Sequence, residues 1–143
     1  MDRHVEQMLD LSEEARIAYL KAFTRLAKAD GNFDDNEQAF IKTLIRKYGL
    51  SADKTDEIIN SSDDAEVIEG VKIIKDRRIA LELIKELCVL AHADDELSDE
   101  ETILIGRVGQ AMGISLDKIE QISNWVIDKI ILAEEAKIIF EEV

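Results

Sequence analysis

Residues 25–60 read RLAKADGNFDDNEQAFIKTLIRKYGLSADKTDEIIN, and residues 89–124 read VLAHADDELSDEETILIGRVGQAMGISLDKIEQISN. A shift of 64 residues lays one stretch on the other. Over residues 15–60 against 79–124, 46 positions, 14 are identical. Among the identities are Leu26/Leu90, Ala27/Ala91, Asp30/Asp94, Asp35/Asp99, Glu37/Glu101, Gly49/Gly113, Ser51/Ser115 and Asn60/Asn124. Apolar positions keep phase as well, with Phe40/Leu104, Leu44/Val108 and Tyr48/Met112. Each copy spells a helix, a short acidic loop, a second helix and a glycine stop. A short third helix follows.

Outward from the repeat, the rest of the chain reads as helices too. Tyr19, Ala22, Phe23, Leu26 and Ala29 follow i, i+3, i+4, i+7 spacing after a Ser12 cap with acids behind it. Phe40, Ile41, Leu44, Ile45 and Tyr48 form one apolar face that ends at Gly49, and Ser51 is placed to cap a short helix. The run Asn60-Ser61-Ser62-Asp63-Asp64 is a linker, with Asp63 and Glu66 spaced as a capping box for the helix beyond. Leu83, Ile84, Leu87, Cys88 and Ala91 mark a helix over about 76–93. Another runs from Ser98 to Gly113, and a long one from Ser115 to about residue 142. There are no prolines, six glycines and no sustained period-2 alternation, so strands have little support.

The expected fold is all-α: a compact bundle of six to eight helices, one domain over 1–143. Its halves, about 12–60 and 76–124, are expected to pack about a pseudo-two-fold axis, since two copies are too few for an open solenoid. Such packing could bring the two acidic loops together. The last helix, rich in apolar residues from Trp125 to Leu132, is expected to be a central core helix rather than a partner surface.

Charge and cysteine content narrow the function. Thirty-two acids against 18 Lys plus Arg give a formal charge of −14, which disfavours nucleic acid and bare anionic membrane as partners. Cys88 is the only cysteine, so no disulfide can form within the chain and a reducing compartment is expected. No apolar run approaches the ~20 residues of a membrane span. The start, MDRHVEQMLD, lacks the apolar region of a signal peptide. A cytoplasmic location is therefore expected.

The loops concentrate acid. Residues 30–37 and 94–101 carry ten of the 32 acids, with no Lys or Arg among them. Helix capping accounts for Asp34, Ser98, Glu37 and Glu101, because both Asp34-x-x-Glu37 and Ser98-x-x-Glu101 are capping boxes. It leaves Asp30 and Asp94 unexplained at the ends of the preceding helices, where the dipole disfavours an acid. A hard divalent cation held by oxygen ligands explains them. The spacing is not that of an EF-hand, since Ile41 and Ile105 stand at the bidentate-glutamate position. A composite site using Asp30, Glu37, Asp94 and Glu101 fits better, with Asn32, Asp34, Asp95 and Glu96 as secondary donors. Calcium is the first choice, magnesium or manganese next, and no organic cofactor is expected.

These segments, KADGNFDDNEQAFI and HADDELSDEETILI, resemble the signature of the TerB-like, tellurite-resistance family. A related module stands at the N-terminus of membrane-anchored DnaJ-like co-chaperones. The resemblance covers about residues 12–130 and is closer at the first loop, because Asp95 replaces Gly31 in the second. It implies a helical bundle in bacterial stress responses at or near the membrane. It also implies divalent metal binding through Asp30 and Glu37, and through Asp94 and Glu101.

Other reactive side chains read plainly. Cys88 falls on an apolar stripe and is expected to be inert core, and His92 to sit on the surface at a helix C-terminus. Lys75-Asp76-Arg77-Arg78 is the densest basic cluster, a solvated helix start open to an acidic neighbour. No nucleophile triad, phosphate loop or redox cysteine pair is present. The expected function is a non-enzymatic stress module that binds a divalent cation through both loops and presents a surface to a protein partner, possible within a membrane-associated complex. The alternative is a metal-independent adaptor or co-chaperone-like domain.

Overall fold

A computed structural model describes residues 2–29, 33–61, 63–92 and 97–141. Those residues form eight α-helices and no strand. They are α1 (Arg3–Leu9), α2 (Glu13–Lys28), α3 (Asp35–Lys47), α4 (Thr55–Ile59), α5 (Asp64–Val71), α6 (Arg77–His92), α7 (Asp99–Ala111) and α8 (Leu116–Ile139). A single 3-10 turn, Ala52–Lys54, precedes α4. The all-α expectation holds. α1, capped by Asp2 onto the His4 amide, lies ahead of the first helix that the periodicity marked.

The repeat governs where helices start. α2 and α6 each have 16 residues and begin 64 apart, and so do α3 and α7, each of 13. The caps recur with Ser and Asp exchanged. Ser12 accepts from the Ala15 amide and Asp76 from that of Ile79. Asp34 accepts from Glu37 and Ser98 from Glu101. Either side chain satisfies a first-turn N–H that has no partner inside the helix. Ser51 departs from expectation, because its hydroxyl donates to the Asp53 carboxylate while Ser115 caps Lys118.

The stops match as well. Gly49 and Gly113 adopt φ of 71° and 81°, the left-handed region. The amides after them, Leu50 and Ile114, donate back to Ile45 and Gly109 at 3.0 and 2.9 Å. That bond closes a Schellman turn, and the buried Leu50 and Ile114 supply its apolar contact.

α2 and α6 form the centre of the core. Leu20, Leu83, Ile84 and Leu87 are fully buried there, with Ile41, Ile45 and Val108 packed around them. α5 lies across α2 and α7, burying Val67 and Val71, with Ile74 just beyond it also buried. Lys21 of α2 links two neighbours, reaching Glu57 at 3.0 Å and Glu66 at 3.4 Å. Burial lowers its pKa, but the two carboxylates outweigh this and hold the ammonium above its ordinary value. Glu66 is thus committed to Lys21, and Asp63 caps the Ala65 amide rather than closing a box with Glu66.

Two apolar expectations are corrected. Phe40 is 52% exposed, whereas its repeat partner Leu104 is 3% exposed. α8 is not a core helix: it buries only Ile119 and Val126, and Trp125, Ile131, Leu132, Ile138, Ile139 and Phe140 are exposed. Its first turns lie on α6 and α7, and its second half extends beyond them. Among the described residues no helix is long and apolar enough to cross a membrane.

Candidate metal centre

The first acidic loop leaves the end of α2 and the second leaves the end of α6. These two ends are neighbours. Leu90, near the end of α6, shares a cavity of about 360 Å³ with Phe23 and Ala27 of α2 and with Asp34, Glu37 and Phe40 at the start of α3. Farther back along the pair, the Glu82 and Glu86 carboxylates of α6 act on the buried Tyr19 phenol of α2. Burial first, and then the Tyr48 phenol and these acids, raise the Tyr19 pKa. α2 and α6 therefore run side by side with their C-terminal ends together, and both loops depart from that end.

Of the sequence-derived ligands, Asp30 and Asp94, with Asn32, Asp95 and Glu96, lie outside the described residues. Asp34, Glu37 and Glu101 are described. Asp34 is exposed and its carboxylate accepts the Glu37 amide at 2.8 Å. Glu37 is half-buried and lines the cavity beneath. Glu101 is 9% exposed and closes a complete box. Its Oε1 accepts from the Ser98 amide at 3.2 Å while the Ser98 hydroxyl accepts from the Glu101 amide at 3.1 Å. A carboxylate has about four lone-pair positions, so that bond leaves Glu101 capacity to ligate.

Among the described residues no three His, Cys, Asp or Glu side chains gather as a metal site. Among the described carboxylates of the two loops, Glu37 is half-buried and Glu101 buried, and the others are exposed. The donors available are oxygens throughout, the set a hard cation takes.

A second polar cluster lies nearby. His92 ends α6 as expected and is half-buried there, with Nε2 3.2 Å from the Ser123 hydroxyl of α8. Cys88, one turn earlier, is buried in the core as expected, and burial pushes its thiol up to about 11 despite a Ser123 hydrogen bond that lowers it. A thiol held protonated in this way is a poor nucleophile. Ser123 was invisible as a partner in the sequence, since only the crossing of α6 and α8 brings it to His92. Lys28 was likewise missed. It donates to the Ile59 carbonyl at the end of α4, and its ammonium lies 5.3 Å from the Phe33 ring centroid, which ties the approach to the first loop.

A family model described as tellurite resistance protein TerB matches residues 1–58 and 42–124. The chain belongs to the TerB family. No curated protein and no solved structure matches it significantly. The TerB match takes in both acidic loops, both glycine stops and the first turns of α8. Residues 125–143 fall beyond it, and within them lies the part of α8 that leaves the body.

Proposed function

We propose that this TerB-family chain is a non-enzymatic binding module of a bacterial stress response. It holds one divalent cation between its two acidic loops through Asp30, Glu37, Asp94 and Glu101, with calcium preferred to magnesium or manganese. Clamping the loops fixes the two halves relative to each other, and with them the surface offered to a protein partner.

The observation that supports this most is the juxtaposition of the α2 and α6 ends around Leu90, Ala27 and Glu37. Two acidic loops leaving one end repel by roughly 1–4 kcal/mol for each close carboxylate pair, a cost that a cation reverses. The acids at the ends of α2 and α6, Asp30 and Asp94, gain nothing from capping, so ligation gives them a purpose.

Thermal unfolding after chelation, then with calcium, magnesium or manganese, tests the proposal. At 100 times its dissociation constant a ligand adds about 2.7 kcal/mol, a rise in Tm of roughly 5–15 °C for a chain of this size. Asp30→Asn and Asp94→Asn each abolish the rise. An unchanged Tm in every ion overturns the cation reading. The complete Ser98–Glu101 box favours one other reading, a metal-independent adaptor whose acids cap helices. Under it the two Asn variants leave Tm where it was.

A further inference from the structure

The second half lacks the helix that α5 supplies to the first. α5 lies antiparallel on α2, with Asp64 on Arg25 at 2.5 Å, Glu66 on Lys21, and Gly70 against Ala18. It walls a cavity of about 390 Å³ whose opposite side is Glu14, Ile17, Ala18 and Lys21 of α2 with Glu57 of α4. Their repeat partners, 64 residues on, are Arg78, Leu81, Glu82, Lys85 and Gln121. All five line a cavity of the same volume, about 390 Å³, between α6 and α8, with Ile122 and Trp125 completing its apolar side. Among the residues lining it, none comes from a helix in the place of α5.

The sequence contains that helix. Residues 67–74, VIEGVKII, shifted by 65, fall on residues 132–139, LAEEAKII. Glu69/Glu134, Lys72/Lys137, Ile73/Ile138 and Ile74/Ile139 are identical. The buried face Val67, Val71 and Ile74 becomes Leu132, Ala136 and Ile139, at the same i, i+4, i+7 spacing. α8, however, is unbroken over 24 residues, about 36 Å. It cannot turn back onto the groove beside its own first half. Leu132 and Ile139 are accordingly 65% and 68% exposed.

We propose that a second copy of this chain fills the groove: in a two-fold dimer, residues 132–139 of each copy seat in the α6/α8 groove of the other. Leu132 and Ile139 cover Leu81, Ile122 and Trp125, and the segment runs antiparallel to α6 as α5 does to α2. Charge acts in both directions: Glu135 and Glu82 stand with like sign where Gly70 meets Ala18, while a second pair at the groove favours the exchange. In the first half, Glu14 and Glu69 line one cavity with like sign, whereas their counterparts Arg78 and Glu134 are opposite in sign. Lys118 adds a second cation at the rim. In the two-fold arrangement each partner both gives a segment to and receives one from the other, so the assembly closes at two. The segment lies beyond the TerB match, while the groove, apart from Trp125, lies within it.

Sedimentation and light scattering on the full chain, from micromolar to millimolar concentration, test it with the emission of Trp125, the chain's single tryptophan and 52% exposed. The expected result is a concentration-dependent species of twice 16.2 kDa, with a blue shift of Trp125 as it forms. Leu132→Glu with Ile139→Glu removes both and leaves the helical content of the dilute protein unchanged. Arg78→Glu weakens the dimer roughly tenfold or more, and adding Glu134→Arg restores it. A monomer at every concentration overturns the proposal, as does a dimer indifferent to Leu132→Glu with Ile139→Glu. So does a monomer whose Trp125 emission is already blue-shifted at every concentration, since α8 would then be folding back within one chain.

Discussion

The two halves part after Asn60 and Asn124, their last shared residue. In the first half Ser61 and Asp63 follow. The Ser61 amide bonds back to Ile58 and Asp63 caps the next helix, so the chain turns and α5 lies down on α2. In the second half Trp125-Val126-Ile127 follows, three residues that continue a helix without offering a cap, and α8 runs on. The aligned stretches 67–74 and 132–139 each hold five apolar residues, yet Val67, Val71 and Ile74 are buried while Leu132, Ile138 and Ile139 are exposed. The difference teaches that a repeat specifies what a segment is made of, and the few residues at its junction decide where it goes.

The most severe way to break this comparison is to shorten one residue on each side of it. Ile74 is 2% exposed, and Ile74→Ala is expected to cost 2–5 kcal/mol by lost transfer and a residual cavity. Its counterpart Ile139 is exposed, and Ile139→Ala in dilute protein is expected to stay within about 0.5 kcal/mol. Urea unfolding of both variants beside the wild type gives the answer. Equal losses would mean that α8 packs its outer face in the monomer.

The glycine stops give a smaller and finer contrast. At Gly113 a Cβ meets nothing within 4 Å, so Gly113→Ala costs only the left-handed backbone, about 1–2 kcal/mol. At Gly49 the same Cβ lies 2.9 Å from Leu9 of α1 and 3.0 Å from the Arg16 guanidinium, which donates to the Tyr48 carbonyl at 2.7 Å. Gly49→Ala is therefore expected to cost about 1 kcal/mol more, the value of that hydrogen bond. Equal Tm losses in the two variants would show that α1 and Arg16 give way freely.

Much of this was legible in the sequence because it is local. The glycine stops, the caps at Ser12, Asp34, Ser98 and Ser115, and the spacing of Leu83, Ile84 and Leu87 follow from short-range rules, and the 64-residue shift doubled each signal. What escaped was decided by partners distant in the chain. Phe40 reads as core by periodicity, but periodicity does not say whether another element covers that face. α8 reads as core because Trp125 to Leu132 carries more apolar residues than one face requires, and nothing local signals that the body ends beyond Val126 and Ile130. The candidate ligands divide in the same way. Glu101 was legible as a cap, its burial was not, and the convergence of the α2 and α6 ends needed the packing of the two helices.

The smallest expected effects separate capping from ligation at the loops. Ser98→Ala and Asp34→Ala each remove one acceptor from a helix N-terminus and are expected to cost about 1 kcal/mol in chelator. Glu101→Gln is the sharper variant. Its amide oxygen can still accept the Ser98 amide, so in chelator the loss is expected to be only a few tenths of a kcal/mol. A cation bound there would, however, lose a full negative charge among its ligands. If Glu101 ligates, Glu101→Gln unfolds like the wild type in chelator and forfeits most of the rise that calcium gives. If Glu101 only caps, the variant follows the wild type under both conditions, while Ser98→Ala falls below it in both. Tm measurements on Ser98→Ala, Asp34→Ala and Glu101→Gln, each with and without calcium, therefore assign this buried carboxylate to the helix or to the ion.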